Sequence, residues 1–363
     1  MASRSWRTAG RTVLALALVA GGLGLPEPRP VAGSVFEASQ PSSRPYRRLE
    51  DWARLQGLRV ERAPLSRDIL VTGPEIRMAL LTEASRITFN GVAVWLSHPV
   101  RLVNGEVWVA VQDLDGVLQP LIRPGPYVAG GRVRTICLDP GHGGREPGQK
   151  NGTRLEKTYT LALAEEVRRQ LVRAGFQVIM TRESDETVDL VERAAIAQRR
   201  GADLLVSLHF NASPNGGSEA SGVEVYALTP EGARSTNASV DAGPWQEAAG
   251  NRHDPRNLLL AYHLQRALVR DLPGTVDRGV RRARFVILRL AEMPAALVEL
   301  GFMSNPSDAR WIYSEAGRRQ AAASIVAGLR AYAQAVERAP SPGQRITNST
   351  SSRSNAVPLS AKN

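Results

Sequence analysis

Thr135-Ile-Cys-Leu138 and the six residues after it, Asp139-Pro-Gly-His-Gly-Gly144, decide the fold of this chain. The apolar run predicts a short buried strand, and a histidine follows it within a glycine-rich loop. Two further apolar runs lead in the same way into His209 and into Glu299. Functional groups of open α/β sheets gather outside the carboxyl ends of the strands. We therefore expect the three strand-end side chains to lie together.

Strands and helices alternate from residue 133 onward, which predicts a doubly wound sheet with right-handed crossovers. The predicted fold class is α/β: a mixed, mostly parallel doubly wound sheet with helices on both faces, preceded by a small, mostly β domain. The predicted strands are residues 133–138, 176–181, 203–208, 222–228, 285–288 and 296–300. The predicted helices are residues 159–173, 188–200, 258–271 and 316–337.

The first 33 residues predict an export signal. Arginines at positions 4, 7 and 11 precede an uncharged apolar run over residues 12–25, and Val31-Ala-Gly33 offers small residues for cleavage. The run has 14 residues, which is short of the roughly 18 needed to span a bilayer. These features favour a cleaved signal over an uncleaved anchor.

The rest of the chain divides where its composition changes. Asn90-Gly91 and Asn104-Gly105 favour tight hairpins between short alternating runs, which is typical of a β module. Pro124-Gly-Pro126 marks the end of that module. We predict a linker over residues 34–45, the β module over 46–125, the α/β domain over 132–337 and a disordered tail over 338–363.

The composition indicates a folded, mildly basic protein. The chain has 363 residues, of which 43% are hydrophobic and 22% charged, with a formal net charge of +11. Most of this charge belongs to the two termini, and residues 34–337 carry only about four excess positive charges. Nucleic acid is a poor fit as a partner because aromatic residues are only 5% and no stacking motif occurs. Cys137 is the only cysteine, and its apolar neighbours predict a buried, inert thiol.

A zinc site that performs hydrolysis needs three protein ligands and one open position. His142 and His209 supply two nitrogens, and two acids are candidates for the third ligand. Glu146 follows in the same glycine-rich loop, whereas Glu156 opens a predicted helix that would hold it rigidly, which favours Glu156. A set of two histidines and one carboxylate leaves a water as the fourth ligand and lowers its pKa towards about 7.

Glu299 is the candidate for the proton transfers of such a site. It ends an apolar strand, where burial raises a carboxyl pKa and suits the group to general acid–base work. Taken alone, Glu299 is equally well explained as a strand-end carboxylate in an ion pair, and a single loop histidine is better explained as a hydrogen-bonded one. The three positions together favour the metal site.

Other features carry weaker signals. The glycine-rich run over residues 141–148 would suit a phosphate, but it lacks the ending of a P-loop and the spacing of a dinucleotide fingerprint. His253 and His263 lie away from strand ends. Arg289 follows the predicted strand 285–288, so we expect it to point into the cleft and hold a substrate carboxylate. A structural ion pair is an equal alternative for Arg289.

From residue 133 to about residue 335, the chain closely resembles the zinc-dependent N-acetylmuramoyl-L-alanine amidases called amidase 3. The matching motifs include Leu138-Asp-Pro-Gly-His-Gly-Gly144, Glu156-Lys157, Thr181-Arg182, Glu192-Arg193, Ser207-Leu-His-Phe-Asn211, Gly222-Val-Glu-Val-Tyr226, Arg278-Gly-Val280, Val286-Ile-Leu-Arg289 and Val298-Glu-Leu-Gly-Phe-Met-Ser-Asn305. The resemblance implies one zinc ion held by His142, Glu156 and His209, with Glu299 as the catalytic acid and base. It also implies that Asn211 and Arg289 support the cleft as substrate-binding residues.

The resemblance further implies the reaction and its setting. The expected activity is hydrolysis of the amide between the lactyl group of N-acetylmuramic acid and L-alanine of the peptidoglycan stem peptide, in wall turnover or daughter-cell separation. We expect a monomer in the periplasm, or otherwise exported to the cell wall, with peptidoglycan and an activator protein as partners. We expect no nucleic acid and no stable membrane insertion. Cleavage of another wall amide, and wall binding without turnover, are the alternatives.

Two further segments carry expectations of their own. Residues 46–125 resemble the copper amine oxidase N-terminal-like module through Phe89-Asn-Gly91, Val100-Arg-Leu-Val-Asn-Gly105 and Val107-Trp-Val109, and we expect them to target or space the enzyme. The name of that module does not imply copper here, since His98 is its only histidine. Residues 229–256 are longer than in simple family members. We expect them to form a mobile lid or a partner-docking loop, with a solvated insertion as the alternative.

Overall fold

The strand before the Asp139-Pro-Gly-His motif belongs to a large mixed sheet. The structure is a computed structural model, and it describes residues 45–63, 66–129, 131–213, 217–237 and 246–339. The predicted signal peptide, nearly all of the predicted linker and nearly all of the predicted tail lie outside these ranges. Within them, no helix is both long enough and apolar enough to cross a membrane.

The N-terminal part is built from short strands and helices. Its strands are β1 (Tyr46–Arg48), β2 (Arg59–Glu61), β3 (Asp68–Gly73), β4 (Ile76–Leu81), β5 (Arg86–Phe89), β6 (Val92–Trp95), β7 (Arg101–Val103) and β8 (Glu106–Ala110). Its helices are α1 (Leu49–Leu55), α2 (Val111–Asp113), α3 (Gln119–Ile122) and α4 (Gly125–Val128), with a π-helical segment at Leu114–Leu118. The predicted hairpin turns are confirmed, because Asn90-Gly91 joins β5 to β6 and Asn104-Gly105 joins β7 to β8.

The second part alternates strands with longer helices. Its strands are β9 (Thr135–Pro140), β10 (Lys150–Asn151), β11 (Arg154–Leu155), β12 (Gln177–Met180), β13 (Leu204–Asn211), β14 (Val223–Leu228), β15 (Asp277–Ala283) and β16 (Ala295–Phe302). Its helices are α5 (Glu156–Arg173), α6 (Leu190–Arg199), α7 (Asp254–Asp271), α8 (Val286–Leu290), α9 (Pro306–Ile312) and α10 (Glu315–Arg338), with a 3₁₀ turn at Ala249–His253.

The strand order places the predicted functional residues side by side. Among the described residues, eleven strands form one sheet in the order β12-β9-β13-β16-β14-β15-β6-β5-β4-β3-β2. Strands β12, β9, β13 and β16 are parallel, whereas β14 runs antiparallel to β16. The carboxyl ends of β9, β13 and β16, which carry the motif histidine, His209 and Glu299, are therefore neighbours. The predicted mixed α/β sheet is confirmed.

Helices cover both faces of this sheet. Apolar side chains of α5, α7 and α10, such as Leu163, Leu260 and Leu329, are buried against one face together with Val298. Residues of α6 and α8 pack in a second cluster that includes Leu205. This layering buries the central strands β9, β13, β14 and β16 on both sides, as a doubly wound fold requires.

The N-terminal part continues the sheet of the second part. Strand β6 pairs with β15 through Val94 and Val280. The indole Nε1 of Trp95 donates to the carbonyl oxygen of Arg278 (2.9 Å), and the backbone N–H of Ala93 donates to Asp277 (2.8 Å). The apolar core also runs across the predicted boundary at residues 125–132 without interruption. The module therefore protects an edge strand that would otherwise be open.

One predicted strand is wrong. Residues 285–288 lie in a turn and in helix α8, where the N–H groups of Leu288 and Arg289 donate to the carbonyl oxygen of Phe285. The strand in this region is β15, which begins at Asp277, eight residues before the start of the predicted strand. The Val-Ile-Leu run suggested a strand because these residues favour sheets. Tertiary packing of Ile287 and Leu288 against the second core cluster overrides that preference.

Candidate metal centre

Two buried arginines hold the loop that carries His142. Arg182 donates to the carbonyl oxygens of Pro140 (Nε, 3.0 Å) and Gly141 (Nη2, 2.9 Å). Arg193 donates to those of Pro140 (Nη1, 2.9 Å) and His142 (Nη2, 2.8 Å). The backbone of His142 has φ of 60°, a left-handed conformation that is uncommon for any residue with a side chain. The arginines stabilise this backbone and so fix where the imidazole is presented.

Asp139 pairs with one of these arginines. Its Oδ1 accepts hydrogen bonds from Arg193 Nη1 (2.8 Å) and Thr181 Oγ1 (2.6 Å), and its Oδ2 accepts one from Ser207 Oγ (2.6 Å). Burial raises the pKa of Asp139, but the charge of Arg193 and the hydrogen bonds outweigh burial, so the pKa lies below its ordinary value. The carboxylate is therefore ionised and fully hydrogen-bonded.

Replacing Asp139 by asparagine is expected to lower the free energy of unfolding by about 3–5 kcal/mol, because it leaves the buried Arg193 charge without its counterion. Urea unfolding of the chelator-treated protein, followed by circular dichroism, measures the change. The control is Glu183→Gln, which removes the carboxylate from an exposed pair with Arg168 and should move the midpoint little. Equal midpoints for the two variants would contradict the role of Asp139.

Glu156 lies between the two predicted histidine ligands. It is the first residue of α5, and its Oε2 lies 3.1 Å from His142 Nε2 while its Oε1 lies 3.0 Å from His209 Nδ1. The backbone N–H groups of Gln149 (2.8 Å) and Phe210 (3.0 Å) donate to the same carboxylate. Burial raises the pKa of Glu156, but the hydrogen bonds with the histidines outweigh it and hold the pKa well below its ordinary value. The potential ligand atoms of the three residues lie within 4.8 Å of one another.

Two glycines allow the backbone to approach this cluster. A Cβ atom at Gly141 would lie 2.3–2.6 Å from ring atoms of His209. A Cβ atom at Gly148 would lie 2.5 Å from both Glu156 Oε2 and His142 Cδ2. Any larger residue would push the cluster apart, so the glycines of the motif are needed for close packing rather than for phosphate binding.

Glu299 lies next to His209 on the adjoining strand. The two residues are partners in the β13–β16 ladder. Among the described residues, Glu299 Oε2 is buried and has no hydrogen-bond partner. Burial raises the pKa of Glu299 well above its ordinary value, and the charges of Glu156 and Glu224 raise it further. Glu299 is thus a carboxyl group that holds a proton more readily than other acids.

Glu224 is a charged residue beside the site to which we assigned no role from the sequence. It faces Glu299 across the β14–β16 ladder. Its Oε1 accepts from Asn211 Nδ2 (2.6 Å) and Tyr226 Oη (2.9 Å), and its Oε2 accepts from Arg278 Nε (3.0 Å) and Arg281 Nη1 (2.8 Å). Burial raises the pKa of Glu224, but these partners outweigh burial and lower it. The sequence feature that could have indicated this residue is a glutamate within the apolar run Val223-Glu-Val-Tyr226.

Three other candidates lie outside the cluster. Glu146 is exposed, and only its backbone pairs within the loop, so Glu156 takes the position between the histidines. His253 Nε2 lies 3.0 Å from the carbonyl oxygen of Glu292. His263 packs in α7, where burial lowers its pKa to about 4.

Arg289 is the remaining predicted site residue. It lies exposed on α8 and lines a cavity of about 300 Å³ together with Thr229 and Arg284, and none of the lining residues belongs to the cluster. The expected orientation into the cleft depended on a strand at 285–288, which is a helix. Its role towards substrate stays a prediction. So does the lid formed by residues 229–256, because residues 238–245 lie outside the described part of the chain.

A carboxylate between two histidines, with a second glutamate of raised pKa beside them at the strand ends of an α/β sheet, is typical of metal-dependent hydrolases. Comparison with known sequences identifies the family within this class. The chain belongs to the amidase 3 family, described as N-acetylmuramoyl-L-alanine amidase, which matches residues 136–331.

The matched region makes up a different fraction of the length of each relative. The chain is 37% identical over 227 residues to the N-acetylmuramoyl-L-alanine amidase AmiC of Neisseria meningitidis serogroup B, covering 56% of this chain and 53% of AmiC. It is 31% identical over 234 residues to AmiA of Escherichia coli K12, covering 58% of this chain and 79% of AmiA. The crystal structure of an N-acetylmuramoyl-L-alanine amidase from Clostridium difficile 630 is 31% identical, with a TM-score of 0.46, and covers 56% of this chain and 98% of that one. The chain thus spans about half the length of AmiC.

Proposed function

We propose that this chain is a zinc-dependent N-acetylmuramoyl-L-alanine amidase. Its reaction is hydrolysis of the amide between the lactyl group of N-acetylmuramic acid and L-alanine of the peptidoglycan stem peptide. The observation that carries the proposal is the cluster of His142, Glu156 and His209 beside Glu299. Membership of the amidase 3 family and the names of AmiC and AmiA support the choice of substrate.

The donor set fits zinc. Two imidazoles and one carboxylate are a usual ligand set for catalytic Zn²⁺, and His142, Glu156 and His209 would hold the ion. Backbone N–H groups already orient Glu156, as the supporting contacts of metal ligands do. The buried, unpartnered oxygen of Glu299 is the unsatisfied polar atom expected where a ligand or water binds. Zinc, when bound, supplies a Lewis acid that polarises the scissile carbonyl and lowers the pKa of water.

Glu299 performs the proton transfers. Burial raises the pKa of Glu299, so this carboxylate accepts a proton more readily than an ordinary glutamate, which suits a general base that later acts as an acid. Glu299 accepts a proton as water attacks the lactyl carbonyl carbon. It then donates that proton to the alanine nitrogen as the C–N bond breaks. The arginine-held loop of His142 and the contact of Asn211 with Glu224 keep both sides of the cleft in place.

The setting follows from the substrate. Peptidoglycan lies outside the cytoplasmic membrane, so the enzyme acts in the periplasm or otherwise at the cell wall after export through the segment at residues 1–33. The chain acts as a monomer, and an activator protein regulates it. The N-terminal part serves as a wall-targeting or spacing module in addition to extending the sheet.

Dye release from labelled, purified sacculi tests the proposal, with the chain lacking residues 1–33 as enzyme. Activity is expected with zinc and is expected to disappear after chelation and return when Zn²⁺ is added back. Product analysis must show L-alanine as the new amino terminus. Another new amino terminus would mean that a different wall amide is cleaved. If the protein binds one zinc ion per chain but cleaves no peptidoglycan, even when extracts of the wall fraction are added, it is a wall-binding protein and not an amidase.

A further inference from the structure

We propose that Arg278 binds a carboxylate of the stem peptide and thereby selects substrates with free carboxylates. This inference rests on the amidase function proposed above and names a specificity residue for it. Three features of the site support this assignment: two guanidinium groups share one carboxylate, one of them is open to solvent, and that guanidinium lies close to Glu299 through Glu224.

The excess charge arises because two guanidinium groups share one carboxylate. Arg278 and Arg281 both donate to Glu224 Oε2. Asp277, the acid next to Arg278 in sequence, is engaged elsewhere: it accepts from Gln265 Nε2 (2.7 Å) and from a backbone N–H of β6 (2.8 Å). Glu224 therefore balances only one of the two guanidinium charges, and the other guanidinium is able to bind an anion.

Arg278 is the open member of the pair. Its side chain is 30% exposed, against 14% for Arg281. Arg281 also donates to the carbonyl oxygen of Thr236 (3.0 Å) and lies 4.8 Å from the Trp95 ring centroid. The corresponding contact of Arg278, from Nη1 to the carbonyl oxygen of Ser221, is longer at 3.5 Å. The guanidinium of Arg278 lies 4.9 Å from the ring centroid of Phe302. The indole N–H of Trp95 donates a hydrogen bond to the backbone carbonyl oxygen of Arg278. A guanidinium so supported presents fixed donors to a carboxylate.

The position suits a group on the peptide side of the scissile amide. Glu224, which Arg278 contacts, is the direct cross-strand partner of Glu299, and such partners have Cβ atoms about 5 Å apart. Phe302, under the guanidinium, pairs with Asn211 at the end of the strand that carries His209. An extended peptide advances about 3.4 Å per residue. A carboxylate of the second stem residue therefore lies within reach of Arg278 when the first amide lies at Glu299.

The test compares two soluble compounds, N-acetylmuramoyl-L-alanyl-D-glutamate and its dicarboxamide. The wild-type chain is expected to show a kcat/KM about tenfold to a hundredfold higher for the carboxylate compound, the range expected for a hydrogen bond to a charged group. Arg278→Gln should remove this preference by lowering only the carboxylate rate, and Arg278→Lys should restore part of it. Arg168→Gln, which makes the same charge change at the exposed ion pair with Glu183, should leave the preference unchanged.

Two comparisons make the outcome decisive. If Arg281→Gln removes the preference as fully as Arg278→Gln, net charge rather than Arg278 selects the substrate, and the assignment is wrong. Calorimetric binding of both compounds to Glu299→Gln and to the double variant with Arg278→Gln gives the same comparison without turnover. An absence of turnover in the wild type would count against the amidase function. Equal affinities of the two compounds for Glu299→Gln would overturn the role of Arg278.

Discussion

Glu299→Gln should lower kcat on peptidoglycan by about 10²- to 10⁴-fold, the range that general acid–base catalysis contributes. Glutamine keeps the size of the side chain but can neither accept nor return a proton. The substitution leaves His142, Glu156 and His209 unchanged, so the zinc content should remain one ion per chain. Dye release from sacculi, combined with metal analysis on the same samples, measures both quantities.

A ligand substitution provides the contrast for Glu299→Gln. His209→Ala removes one of the proposed ligands, so it should lose both zinc and activity. If Glu299→Gln also loses zinc, Glu299 belongs to the ligand set and not to the proton transfers. If Glu299→Gln retains activity within a few-fold of wild type, another group carries the proton.

The same substitution should change how stability depends on pH in the chelated protein. The pKa of Glu299 is raised in the folded chain, so above the ordinary value of about 4.3 the folded state keeps a proton that the unfolded state has released. The associated stability is complete below that value and is lost as the pH rises through the raised pKa. Glu299→Gln has no carboxyl group at this position, so its stability does not fall with pH for this reason. Scanning calorimetry should therefore show a higher Tm for the variant at pH 8 and similar values near pH 4, whereas a constant difference would indicate a solvated carboxyl group.

The strand-end residues were predictable because their signal is local. An apolar run that ends in His or Glu marks both the strand and its carboxyl end, and parallel strands bring such ends to one edge of the sheet. Glu156 was also foreseeable, because opening a helix makes its position rigid. The structure shows a carboxylate held by two backbone N–H groups, and places Glu146 outside the cluster. The Asn-Gly turns were predictable for the same reason, since both residues adopt positive φ there.

What the sequence did not reveal depends on long-range contacts. Strand β15 reads as polar because it contains Arg278, Arg281 and Arg282, and nothing local shows that Glu224 or other chain segments will pair with them. The helix at Val286–Leu290 has the composition of a strand, so only packing decides its conformation. The joining of β6 to β15 is likewise invisible, because an edge strand has the same pattern whether or not another strand covers it.

Gly148→Ala should reduce activity by about 10²-fold or more, since displacements of about 1 Å in an active site have effects of that size. The new methyl group would lie 2.5 Å from Glu156 Oε2 and from His142 Cδ2, so either the loop or two of the proposed ligands must move. Zinc affinity should fall together with kcat, and competition with a chromogenic chelator measures it.

Gly152→Ala separates this crowding from backbone strain. Gly148 and Gly152 have nearly the same left-handed backbone, with φ of 67° and 61°, but a Cβ atom at Gly152 meets nothing within 4 Å. Alanine in this conformation costs about 1–2 kcal/mol at either position, so both variants should lose similar stability through strain. Only Gly148→Ala should lose zinc affinity and activity. Equal losses in both variants would show that strain in the loop, and not contact with Glu156 and His142, is what requires glycine at position 148.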